Sequence, residues 1–106
     1  MLVPELEALR RAMSKAEVRR VRAYGLSPEE YIQRLDEQHN SCDICREPFD
    51  KSPHIDHDHA TGEPRGLLCL KCNTGLGMFG DNSALLLAGG AYLSRWGTFP
   101  EIPLHG

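Results

Sequence analysis

No stretch of these 106 residues approaches the roughly 18 consecutive apolar side chains that a bilayer-spanning helix needs, so no membrane role is expected. The start of the chain lacks a charged leader, an apolar stretch and a small-residue cleavage site, and the expected compartment is therefore the cytoplasm. There is no internal repeat, low-complexity tract or interdomain linker. At this length a single core buries only about two thirds of the unfolded surface, which predicts one compact unit with a thin core. Nor is there the excess of Lys and Arg that a generic nucleic-acid binder carries: 12 basic against 15 acidic residues give a formal net charge of -3. The deficit is uneven. Arg10, Arg11, Lys15, Arg19, Arg20 and Arg22 outnumber Glu5, Glu7 and Glu17 in residues 1–26, which are locally net positive.

Cysteine is scarce, four in all, but its spacing is informative. Cys42 and Cys45 are separated by two residues, as are Cys69 and Cys72, and each pair can set two thiolates on one tight turn facing one ion. Two disulfides are the competing reading, against which the missing leader argues. A structural zinc ion is the expectation.

The apolar spacing Leu2, Leu6, Leu9, Met13, Ala16 alternates steps of four and three and predicts one amphipathic helix from residue 2 to about Arg22, within a basic N-terminal segment 1–26. Gly25 breaks it. Ser27, Pro28 and Glu30 supply an N-cap, a first-turn proline and a capping-box Glu for a second helix to about His39, burying Tyr31, Ile32 and Leu35. Between the Cys pairs, residues 54–59, a turn over 60–64 and residues 65–69 read as a β-hairpin. Helix resumes from Asn73, kept short by Gly75, Gly77 and Gly80. Asp81, Asn82 or Ser83 then caps a closing helix through Leu85, Leu86, Leu87, Tyr92 and Leu93, with Tyr92 and Trp96 as packing residues. The core unit is thus 27–96, and 97–106, with Pro100 and Pro103, is a loosely held tail.

The hairpin carries the chemistry. In-line hydrolysis of a phosphodiester needs an activated water on one side of phosphorus and charge stabilisation of the leaving oxygen on the other. Neighbours on a strand point to opposite faces, so Asp56 can bind a metal while His57 takes the proton, imidazole being the side chain suited to a base near neutral pH. Asn73 directly follows Cys72, so a zinc ion on the thiolates would also aim its amide. A carboxylate with an amide oxygen is a hard donor pair that suits magnesium or manganese better than a second zinc. Bland readings stand beside these. His54, Asp56, His57, Asp58 and His59 could form a solvated loop or ligate a second zinc, and His54 could simply bond to backbone. Arg65 and Lys71 are either phosphate contacts or exposed charges, and the first helix is either a solvated face, a DNA-tracking surface or a dimer seam. His39 and His105 receive no role.

The strings YGLSPEEYIQRL, CDIC, HIDHDHATGEPRGLLCLKCN, LGMFGD and AYL, spread from Tyr24 to Leu93, together resemble the phage recombination endonuclease VII family. The resemblance implies an α+β, zinc-stapled ββα-metal (HNH-like, His-Me finger) nuclease with flanking helices. It implies zinc on Cys42, Cys45, Cys69 and Cys72, and a catalytic Mg2+ or Mn2+ on Asp56 and Asn73. His57 aligns with the general base, and His59 with a further active-site histidine. Some members carry an acidic residue three positions after the Asn, where this chain has Leu76. Larger junction-cleaving members continue into a long helical C-terminal region. The function implied is metal-dependent DNA endonuclease, with branched or Holliday-junction DNA among the candidate substrates. The partners implied are DNA, a second copy as homodimer and a larger phage DNA-processing complex, in the host cytoplasm if phage-encoded. The alternatives are an accessory phage nickase in DNA packaging and a non-catalytic zinc module that binds DNA or protein.

Overall fold

In the computed structural model, which describes residues 2–97, Pro4 follows an extended Val3 and opens α1 (Pro4–Arg11). Residues 98–106, with Pro100, Pro103, His105 and most of the expected loose tail, lie outside the described residues. The single long helix expected at the start is two helices. Ser14 is an N-cap whose hydroxyl accepts from the Glu17 N–H at 3.0 Å, so a new helix, α2 (Lys15–Ala23), begins there at a new angle. Leu6 of α1 and Val21 of α2 both reach the interior. Gly25, with φ +88°, turns the chain into α3 (Pro28–Glu37), whose Ser27–Glu30 capping box forms as predicted.

His39 and Asn40, both left-handed, end α3 and release the chain into the first Cys turn. Two antiparallel strands follow, β1 (His54–His57) and β2 (Pro64–Leu68), joined through residues 58–63. Asp58 builds this connection: its carboxylate accepts from the Ala60 and Thr61 N–H groups at 2.8 and 3.1 Å. Ile55 opposes Leu67 and His57 opposes Pro64, so Asp56 alone faces both Arg65 and Gly66 in a bulge. Gly66 is needed there, because a Cβ would stand 2.7 Å from the Asp43 carboxylate.

The core is Leu2, Leu6, Val21, Leu26, Tyr31, Ile32, Ile55 and Leu67, drawn from α1 to α3 and one face of the hairpin. Gln38 ties the two halves. Its side chain donates to the Leu67 carbonyl and accepts from the Leu67 N–H, both at 2.9 Å, and so supplies the pairing a third strand would give. Cys69 caps α4 (Leu70–Met78), which starts one turn before Asn73 and packs against β1. Asn82 caps α5 (Ser83–Arg95).

The expectation that α5 closes the core is corrected. None of its residues is buried, and Leu87 and Trp96 are 76% and 74% exposed. Gly80 and Asp81, both with positive φ, turn the chain after α4, and Gly89 of α5 lies near the Phe79 ring. The architecture is α+β, a two-stranded sheet among five helices, and among the described residues no helix is long and apolar enough to cross a membrane.

Candidate metal centre and catalytic pocket

The four cysteines converge although the pairs lie far apart in sequence. Their sulfur atoms all lie within 4.8 Å of one another, and none is in a disulfide. The first pair sits on the turn after α3 and the second on the N-terminus of α4, so one ion could join the helical half to the hairpin. Burial pushes the Cys42 thiol up, but backbone N–H groups, of Cys69 foremost, bring it down to about 7. Burial raises Cys45 and Cys72, and for Cys72 hydrogen bonds shared with the other three sulfurs add to the rise. Four clustered sulfurs of which the protein readily ionises one form a site that a zinc ion would complete by withdrawing the remaining protons.

On the other side of the hairpin, Asp56, His57, His59 and Asn73 line one cavity of about 220 Å³. Asp56 and His57 come from β1, and Asn73 from the first turn of α4, where Cys72 fixes it. His59 lies in the turn after β1 and not on the strand itself, yet its ring is 4.8 Å from that of His57. Strand alternation predicts opposite faces for Asp56 and His57; with the bulge beside them both border the same cavity. Asp58 does not line it and belongs to the turn, as the bland reading has it. His54 borders the pocket, and Lys71 does not.

Arg65 is not the idle exposed charge of its bland reading. Its Nε and Nη2 donate to the two Asp56 carboxylate oxygens at 2.6 and 3.1 Å, and Nη2 also donates to Asp81 at 2.9 Å. The Asp56 and Asp81 hydrogen bonds hold the guanidinium above its ordinary pKa, and Arg65 in turn holds Asp81 below the usual carboxylate range. Asp56 is only 7% exposed, and a carboxylate so placed demands a positive partner. A buried carboxylate already matched to a cation, with an amide and two imidazoles round one cavity, is a donor set that fits Mg2+ or Mn2+.

Sequence reasoning missed three lining residues. The Tyr24 ring lies tilted, 5.9 Å from that of His57, and Arg20, one helical turn before it, pairs with Glu17 at 2.8 Å. Asp81 comes from the α4–α5 turn. The i, i+4 spacing of Arg20 and Tyr24 marks one face of α2, but nothing local says that this face meets the hairpin.

Residues 17–95 match the profile of a family described as recombination endonuclease VII. The chain is 40% identical over 65 residues to the Gene 59 protein of Mycobacterium phage L5, an alignment covering 59% of this chain and 40% of that protein. It is likewise 40% identical over 65 residues to the Gene 59 protein of Mycobacterium phage D29, covering 59% of this chain and 39% of that one. The matched part of the chain thus spans about two fifths of the length of these curated relatives. No solved structure matches significantly.

Proposed function

This chain belongs to the recombination endonuclease VII family, and from that premise we propose that it is a metal-dependent DNA endonuclease that hydrolyses phosphodiester bonds. The observation that carries the reading is the single cavity bordered by Asp56, His57, His59 and Asn73, residues delivered by a strand, a turn and a helix. Cys42, Cys45, Cys69 and Cys72 hold one structural zinc, whose task is to keep α4 and the hairpin in register.

Asp56 and Asn73 would hold the catalytic magnesium or manganese. When bound, such a cation supplies charge neutralisation at the phosphate and at the leaving 3′ oxygen. The remaining work belongs to the side chains. A ring nitrogen of His57 accepts the proton of the attacking water, because a neutral imidazole is plentiful near pH 7 and basic enough to take it. His59, whose ring lies 4.8 Å from that of His57, would contact the phosphate or the leaving group. Cleavage in this sense leaves 5′-phosphate ends.

DNA is the substrate class, with branched or junction DNA to be compared against plain duplex. A formal net charge of -3 supports a second version, in which the nuclease nicks DNA delivered by a larger phage DNA-processing complex. The exposed apolar length of α5 supports a homodimer, and two cuts on opposite strands would need two such sites.

The test is cleavage of supercoiled plasmid and of a labelled four-way junction, side by side, with magnesium and with EDTA. Asp56→Asn, His57→Ala and Asn73→Ala are each expected to slow cutting by about 10²- to 10⁴-fold. Unchanged rates in all three would remove the mechanism. No cutting of either DNA with any divalent metal, by protein that retains its zinc, would leave a zinc module that binds DNA or protein.

A further inference from the structure

Resting on the reading that Asp56 holds a divalent cation, we propose that Arg65 is the internal counter-cation occupying that position in the metal-free protein. Asp81 is the residue onto which Arg65 withdraws when metal arrives. Both are then positioning residues for the metal site.

The geometry is that of a competitor. Arg65 engages both carboxylate oxygens of Asp56, at 2.6 and 3.1 Å, and these are the atoms a cation would use. A guanidinium and a divalent ion bonded to the same carboxylate would stand a few ångströms apart and repel strongly in so sheltered a place. One must leave. Arg65 is the member with room to move: its side chain is 37% exposed, against 10% for Asp56.

It also has somewhere to go. The same Nη2 that reaches Asp56 reaches Asp81 at 2.9 Å, so withdrawal breaks one set of bonds while another persists. Asp81 is itself anchored, because its N–H donates to the Leu76 carbonyl at 2.8 Å and its backbone occupies the left-handed region. The bulge that sets Arg65 opposite Asp56 fixes the starting point of the swing. Parked on Asp81, which itself lines the cavity, the guanidinium keeps a partner close to where it started. The metal-free hairpin is therefore electrically satisfied, and metal enters by exchange of one positive charge for another.

The experiment uses the zinc-loaded full chain without DNA. Mn2+ is titrated and read by the electron paramagnetic resonance of the free ion, with thermal melting in parallel. Arg65→Gln is expected to bind Mn2+ about tenfold more tightly than wild type, since an ion pair that competed for Asp56 is gone. It should melt lower than wild type without Mn2+ and recover with it, because the ion replaces the missing charge. If that variant does not fold without metal, Arg65→Lys, which keeps one charge but cannot bridge both carboxylates, is expected to shift affinity the same way by less. Asp81→Asn should weaken Mn2+ binding several-fold in the wild type and hardly at all in the Arg65→Gln background.

An Arg65→Gln affinity equal to or weaker than wild type overturns the competition. An equal loss from Asp81→Asn in both backgrounds means that Asp81 acts on the ion directly, which overturns its role as a parking place. Asp56→Asn separates this proposal from its premise. If it binds Mn2+ as wild type does, the metal reading of Asp56 fails. If it loses Mn2+ while Arg65→Gln is unchanged, only the competition fails.

Discussion

Two aspartates one residue apart, Asp56 and Asp58, show how far side-chain identity is from role. Both lie in the run of acidic and histidine residues that attracts attention in the sequence. Asp56 is buried, bulge-opposed and paired with Arg65, whereas Asp58 accepts backbone N–H groups of Ala60 and then Thr61, which hold its carboxyl below the usual range. Gln38 carries the opposite lesson, since nothing around it in the sequence marks it. Its amide is the main-chain partner of Leu67, a residue with no exposed surface, and it also donates to the Ser41 carbonyl at 2.9 Å. Gln38→Ala leaves the buried Leu67 N–H unpaired, while the Leu67 carbonyl keeps the Asp43 N–H at 3.2 Å, and should cost about 2 kcal/mol at roughly 1–3 kcal/mol per unsatisfied group. Urea denaturation of the zinc-loaded protein measures it, and a loss under about 1 kcal/mol would mean that water takes the place of the amide.

At the scale of elements, the start signals were legible and their number was not. Ser27, Pro28 and Glu30 predict α3 correctly, and Ser27→Ala should cost about 1 kcal/mol of stability. The Glu30 carboxyl is held below its ordinary range by hydrogen bonds from the Ser27 N–H first and then its hydroxyl. A folded-state pKa below the unfolded value contributes stability that is complete above the carboxylate range and is lost as the pH falls through the folded value. The gap between wild type and Glu30→Gln should therefore close in acid; a gap that stays constant from pH 7 to pH 3 would mean that charge plays no part in the cap. Ser14 and Glu17 repeat the same signature, but the apolar spacing of Leu2, Leu6, Leu9 and Met13 runs up to it and the eye joins two helices into one. The hairpin was legible from its turn residues, whereas its bulge, and with it the meeting of Arg65 and Asp56, depends on register, which Gly66 and the Asp43 carboxylate decide across the fold. The convergence of Asp56, His57, His59 and Asn73 was legible because Cys72 ties Asn73 to the same turn as the cysteine cluster.

At the scale of the molecule, the core found among the described residues is small, eight side chains, and the Cys cluster is a further link between its halves that a metal could lock. One zinc per chain is expected by elemental analysis, and a strong chelator should abolish cooperative melting; a melting point indifferent to chelation would make the cluster dispensable. Among the described residues neither α4 nor α5 gives a buried residue to this core, and Leu85, Leu87, Tyr92 and Leu93 of α5, with Trp96 at its end, remain in water although they are as apolar as any core segment. Composition alone argues that such a helix is buried, and it misled the sequence reading because periodicity cannot say against what a helix is buried. An apolar surface of this kind is retained when a second surface covers it. A second copy of the chain, as proposed above, would also supply the second cavity that cutting both strands requires. Leu87→Glu with Leu93→Glu should then convert a concentration-dependent dimer into a monomer in sedimentation, while the melting point of the dilute protein stays as it was, because both side chains are at least 49% exposed. A wild type that sediments as a monomer at every concentration would leave α5 without a second copy and would confine the enzyme to nicking one strand per encounter.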